Sequence, residues 1–342
     1  MENTLSSNLS LPEDETVSYK GRLMWVDWME AIAIFLIAYG NFLSGGRHMV
    51  YIFSIPLFFM ISGFLSKKET DEKLFWKKLW RNLILPLLLI SVLNYVFHSL
   101  FLIYQGTFRL TSLYKFPFRL LLGFYSGVGM LWLVYTLVLL KIIAQHLPGN
   151  IFVRAVIFLF FPAAGVLIDQ WNPFVYGHAL VYSSNSIINL SMAYPFFYLG
   201  YVLRHWERPL NTFHSLKFEI LLLIYSVCIV LICGKLNSGV EMDRNGYGSN
   251  IVLFLLGGVS GTVMVFLLSK WFNQVRLTAV RDISEGIILI LGFHDYLILL
   301  FRRFFTMSAT LDLLYTLLIL LVFIPVIRSA EKYLPWLVGG EC

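Results

Sequence analysis

The chain has 342 residues, 58% of them hydrophobic and only 13% charged, with a formal net charge of +6 and a mean hydropathy of +0.75. Such a surface cannot be kept in water, which excludes a soluble globular enzyme and makes lipid the main solvent. With no single basic face interleaved with base-stacking aromatics, the positive balance reads as membrane topology and contact with anionic lipid, not as nucleic-acid binding.

The first twenty residues, "MENTLSSNLSLPEDETVSYK", are polar and acidic and lack the basic-then-apolar order of a secretory signal. Residues 1–21 are therefore expected to be a disordered cytoplasmic leader, residues 22–330 a transmembrane domain and residues 331–342 a cytoplasmic tail. Apolar segments follow at about 23–43, 50–66, 82–104, 130–146, 151–168, 187–203, 216–234, 250–269, 283–301 and 311–327, with 116–125 a re-entrant or interfacial piece. Each span takes roughly 20 residues, so the expected fold is an all-α polytopic integral membrane protein of about ten transmembrane helices. If the N-terminus is cytoplasmic, 18 of the 26 Lys and Arg residues fall on the inner side and eight on the outer, which puts both termini inside a cell membrane. Cys228, Cys233 and Cys342 have no metal-type spacing; they read as packing residues, and no metal is expected.

Six stretches then carry a resemblance: "WVDWMEAIAIFLIAYGNF", "YIFSIPLFFMISGFLSKKE", "FWKKLWRNLILPLL", "GMLWLVYTLVLLKII", "AYPFFYLGYVLR" and "ISEGIILILGFH". In this order and spacing the chain resembles the membrane acyltransferases of the acyltransferase-3 group, especially the branch similar to fucose 4-O-acetylases. The resemblance implies O-acylation, usually O-acetylation, with acetyl-CoA or another acyl-CoA as donor and a hydroxyl of an exported glycan or glycolipid as acceptor, as in polysaccharide modification. Such a transfer needs a base for the hydroxyl proton, donors for the developing oxyanion and cations for the CoA phosphates.

The family pattern in the first span is a basic residue three positions after the Asp, then a His eleven further on; from Asp27 those positions hold Glu30 and Asn41. Asn41 cannot be a general base, and Glu30 would repel an anionic donor. Three explanations stand open: a relocated base, loss of catalysis, or a substrate that supplies its own activation. For the first, His98 and His294 are the candidate bases, with Asn41 orienting a hydroxyl or supporting the oxyanion; His294 closes the matching "GFH". Counted at 1.5 Å per residue, Asn41 lies about 27 Å, His98 about 24 Å and His294 about 17 Å from the inner ends of their spans. Both histidines equally suit packing roles bonded to a neighbouring carbonyl.

Lys77, Lys78 and Arg81 precede a cytoplasmic span entrance and are the candidate CoA-phosphate dock, although positive-inside anchoring explains them as well. Pro86 beneath them frees a carbonyl that needs another partner. Pro56, Ser62 and Gly63 read as close-packing residues of the second span, and Ser54 stands where many relatives carry a His. Glu285 and Glu30 are expected in ion pairs with an Arg such as Arg22, Arg81 or Arg281. The aromatic, amide-rich stretch "GVLIDQWNPFVYGHALVYSSNS" is a candidate sugar-facing surface. A transporter or flippase of lipid-linked sugars is the alternative function, sharing the spans and aromatic outer loops but lacking the internal repeat typical of many transporters.

Overall fold

A computed structural model describes residues 23–43, 45–111, 116–117, 130–148, 151–171, 181–204, 215–242 and 246–338. Cys342, Arg22, the leader, most of the 116–125 piece and the middle of the candidate sugar-facing stretch, residues 172–180, lie outside them. The described chain is almost wholly helical, as lipid requires of a spanning backbone that must satisfy its own N–H and C=O groups. Helices α1 (Met24–Phe42), α2 (Arg47–Leu65), α3 (Glu72–Leu79) and α4 (Leu85–Tyr104) come first. They are followed by α5 (Trp132–His146), α6 (Ile151–Trp171), α7 (Val181–Leu203), α8 (Leu216–Leu236) and α9 (Ile251–Trp271). The chain ends in α10 (Thr278–Glu285), α11 (Ile287–Phe304) and α12 (Ala309–Tyr333).

Among the described residues five helices are long and apolar enough to cross a membrane: α2, the continuous α3–α4 rod, α8, α9 and α12. The α10–α11 pair makes a sixth if counted as one span. Helix α1 has the length, but Asp27, Glu30 and Asn41 dilute its apolar character, and α5 is short at 15 residues. The sequence expectation of about ten spans therefore exceeds what these helices establish. A two-stranded hairpin, β1 (Val240–Glu241) and β2 (Gly246–Tyr247), joins α8 to α9, a small addition to the expected all-helical plan.

Helix α2 is the hub, packed on α1, α5, α7, α8 and α9. Its approach to α7 is set by two glycines: a Cβ on Gly63 would lie 1.9 Å from the Phe197 carbonyl oxygen, and one on Gly200 would lie 1.9 Å from that of Met60. Small residues here let the two backbones touch, the main source of attraction between helices that gain nothing from hydrophobicity in lipid. Gly63 thus plays the packing part expected of it. Ser54 is fully buried in the same helix, and its Oγ has no hydrogen-bond partner.

Two local breaks shape the bundle. Between α3 and α4, Trp80–Ile84 winds as a π-turn, with Leu85 N–H donating to Trp80 O; this is how the helix passes Pro86, which has no N–H to offer. The apolar run expected as one span at 283–301 is broken at Gly286, where α10 and α11 meet at 89°. A Cβ on Gly286 would lie 2.2 Å from Ile327 of α12, so this corner can pack only without a side chain. Asp282 and Glu285 consequently belong to a different helix from His294. Arg328 of α12 holds the buried Asp282 at 2.7 Å, and Glu285 lies 3.9 Å from Arg281, the ion pair expected for it.

Candidate functional site

The first constellation forms at the C-terminal end of α1. Gly40 leaves room for the Tyr51 ring, since a Cβ there would lie 2.3 Å from it, and Tyr51 OH reaches across to donate to Asn41 Oδ1. Asn41 Nδ2 in turn donates to Asp295 Oδ1 at 2.9 Å and lies 2.9 Å from His294 Nε2. The other ring nitrogen of His294, Nδ1, is 2.8 Å from the Ile290 carbonyl. A carbonyl only accepts, so Nδ1 carries the proton and Nε2 offers its lone pair to the second Asn41 N–H. All four polar groups are satisfied by one consistent assignment.

Two arginines finish the end of this helix, whose last carbonyls lack intrahelical partners. Arg302 Nη2 donates to Asn41 O at 2.8 Å and Phe42 O at 2.9 Å, and Arg47 Nε donates to Gly40 O at 3.1 Å. Positive charge at a helix C-terminus also complements the helix dipole. His294 is fully buried, whereas the Asp295 side chain keeps 19% of its exposure, so the carboxylate is the more open member of the pair.

His98 is not brought to Asn41. Helix α4 meets α11 through Asn94, which donates to Gly292 O at 2.6 Å and accepts from Tyr296 OH at 2.9 Å, and through Phe97 against Phe293. On a helix His294 lies about 200° around from Gly292, so it turns toward α1 while His98, a turn beyond Asn94, addresses α11 from the other side. His98 Nδ1 is buried with no hydrogen-bond partner.

The second constellation lies at the opposite end of α2, about 20 Å from the first at 1.5 Å per residue between Tyr51 and Leu65. Here a cavity of about 260 Å³ opens between the α2–α3 linker, α3, the π-turn, α5 and α7. Its charged lining is Lys67, Lys68, Glu69, Lys78 and Lys141, with amides from Asn82 and Gln145. Gln145 pairs with the backbone of Glu69 through two hydrogen bonds of 2.9 and 3.1 Å, and Lys68 Nζ donates to Leu147 O, tying the linker to the end of α5. Arg204 donates to the carbonyls of Phe64 and Leu65 and so fixes the end of α2 beside it.

Of the three expected dock residues only Lys78 lines the cavity, paired with Glu69 at 2.8 Å. Lys77 points to solvent and Arg81 is half-buried outside the lining. Lys67, Lys68, Lys141 and Gln145 were not expected; Lys141 had a legible signal, as the sole Lys or Arg in the apolar run 130–146. Glu30 is placed between the constellations, hydrogen-bonded to Ser284 of α10, whose Oγ also lies 3.3 Å from Asp27 Oδ1. Among the described residues no group of three or more His, Cys, Asp or Glu is placed to hold a metal.

The acyltransferase-3 family model, described as an acyltransferase domain, matches residues 23–328, nearly the whole helical bundle. No curated protein and no solved structure matches the chain.

Proposed function

The chain belongs to the acyltransferase-3 family of membrane acyltransferases, and from that premise we propose that it moves an acyl group, acetyl in the first instance, from acyl-CoA to a hydroxyl of an exported sugar or glycan. The arrangement in view is that of the branch similar to fucose 4-O-acetylases, with about ten spans in a cell membrane and both termini cytoplasmic. The observation that carries the catalytic reading is the 2.9 Å contact between His294 Nε2 and Asn41 Nδ2, which sets a basic lone pair beside an amide donor where the first-span signature has changed.

In this reading the acceptor hydroxyl takes the place of the Asn41 N–H at His294 Nε2. His294 removes its proton as the oxygen attacks the thioester carbonyl, and the released Asn41 N–H donates to the developing oxyanion. Collapse of the tetrahedral intermediate breaks the C–S bond, and the proton on Nε2 passes to the departing thiolate. Asp295 Oδ1, 3.3 Å from Nε2, stabilises the imidazolium meanwhile, and the Nδ1–H bond to Ile290 O holds the ring in its tautomer throughout.

The donor's phosphates dock in the cationic cavity through Lys67, Lys68 and Lys78, with Lys77 and Arg81 on the adjoining helix surface as further positive charge. The donor's extended arm covers the roughly 20 Å between the two constellations to bring its thioester to His294. Mass spectrometry of surface glycans from cells with and without the gene tests the function, and complementation with His294→Ala tests the base. An acyl mass that disappears in the deletion and does not return with His294→Ala is the expected result. Glycans unchanged by the deletion would leave the transporter alternative standing.

A further inference from the structure

Helix α5, "WLVYTLVLLKIIAQH", carries Lys141 five residues before its end, among leucines and isoleucines. An ionisable group at such a position is costly to keep and needs a reason. Two charges act on it: the Glu30 carboxylate of α1 attracts it, and the Arg204 guanidinium of α7 repels it. A purely structural pair would explain a lysine sealed between helices. Lys141 instead lines the cavity, whose charged lining of four lysines and one glutamate makes it an anion receptor.

The other three lysines of that lining are exposed, and two of them are engaged: Lys78 with Glu69 at 2.8 Å, and Lys68 with the Leu147 carbonyl at 3.3 Å. Lys141 is the least exposed of the four, and its counter-charge, Glu30, stands outside the lining. Glu30 is itself fixed by the Ser284 hydroxyl, so the carboxylate has a defined place from which to orient the ammonium. Repulsion from Arg204 and the lining lysines would otherwise drive a flexible four-carbon side chain toward water.

We propose that Lys141 is the innermost anion contact of the cavity, meeting a phosphate of the nucleotide thioester, and that Glu30 is the positioning residue that holds its ammonium there. The acidic replacement in the first span then has a use: it orients a cation delivered by another helix. This inference rests on the donor reading of the cavity, and the test separates the two.

The full chain is purified into nanodiscs of neutral phosphatidylcholine, and binding of CoA and of inorganic pyrophosphate is measured by calorimetry. Lys141→Met is expected to weaken CoA binding by about 10- to 100-fold, the range that loss of a charge-assisted contact carries, and Lys141→Arg to stay within about threefold of wild type. Glu30→Gln, which keeps the lysine, is expected to weaken it by about three- to tenfold, and the exchange Glu30→Lys with Lys141→Glu to bind better than either of its single components. If Lys141→Met fails to fold, the conservative variant and the exchange decide. Wild-type affinity in Lys141→Met or Glu30→Gln, with Lys78→Met weakened, would overturn this inference and leave the donor reading intact. No binding of either probe by the wild-type chain would overturn both. Loss in Lys141→Met of a preference for anionic phosphatidylglycerol nanodiscs, with CoA affinity unchanged, would assign the cation to a lipid headgroup and overturn the proposal.

Discussion

Replacing Asn41 by Leu keeps the number and branching of the side-chain heavy atoms and removes three hydrogen bonds at once, those with Tyr51 OH, His294 Nε2 and Asp295 Oδ1. Interhelical hydrogen bonds in membrane proteins contribute about 0.6 kcal/mol each on average, so the three amount to about 2 kcal/mol. The Asp295 carboxylate, four-fifths buried, would lose an N–H donor and push the cost toward about 3 kcal/mol. Tyr51→Phe removes one of the three and is expected to cost about 0.6 kcal/mol. Because Tyr51 donates to the same amide, the two substitutions are coupled: the double variant should be less destabilised than the sum of the singles by about 0.5 kcal/mol. Reversible unfolding in mixed micelles, followed by tryptophan fluorescence, measures all three variants. An Asn41→Leu cost below about 0.5 kcal/mol, together with strict additivity, would refute the network.

Other outcomes follow from the same geometry. His294→Ala should lower acyl transfer by about 10²- to 10⁴-fold, the usual worth of a general base, whereas His98→Ala, on the far side of α11, should leave turnover within about threefold; equal losses in both would contradict the placement of α4. Gly63→Val or Gly200→Val forces a branched side chain into a backbone carbonyl 1.9 Å from its Cβ, and should cost upwards of about 1–3 kcal/mol, read as loss of the monodisperse peak in detergent. Arg328→Gln strips the 2.7 Å partner from Asp282, which is 1% exposed, and leaves only Arg281 at 3.9 Å; a thermal-stability loss of about 1–3 kcal/mol is expected, partly recovered when Asp282→Asn is added.

The residues show where sequence reasoning reached and where it stopped. The π-turn at Trp80–Ile84 was half legible, since Pro86 announced a missing N–H but not how the helix would absorb it. The break at Gly286 was not legible at all, because "ISEGIILILGFH" is one apolar run and a glycine inside a helix is tolerated; Ile327 of α12 makes the corner there. Lys78 was found as a cation at a span entrance, while Lys67 and Lys68 read as topology signals until the linker and α5 enclosed them in one cavity.

By itself the sequence determined that the chain is a helical membrane protein of this acyltransferase family. Long apolar runs leave no other solvent, and a backbone in lipid must bond to itself. It also determined that Asn41 cannot take up a proton as a base and that Glu30 has the wrong sign for an anion. Only the tertiary structure decided what those two residues meet. Asn41 and His294 are 253 positions apart, and Glu30 and Ser284 are 254. Whether such pairs touch depends on the rotation and depth of each helix, which packing glycines, a bent corner and capping arginines set, and none of these leaves a local signal in the residues it brings together.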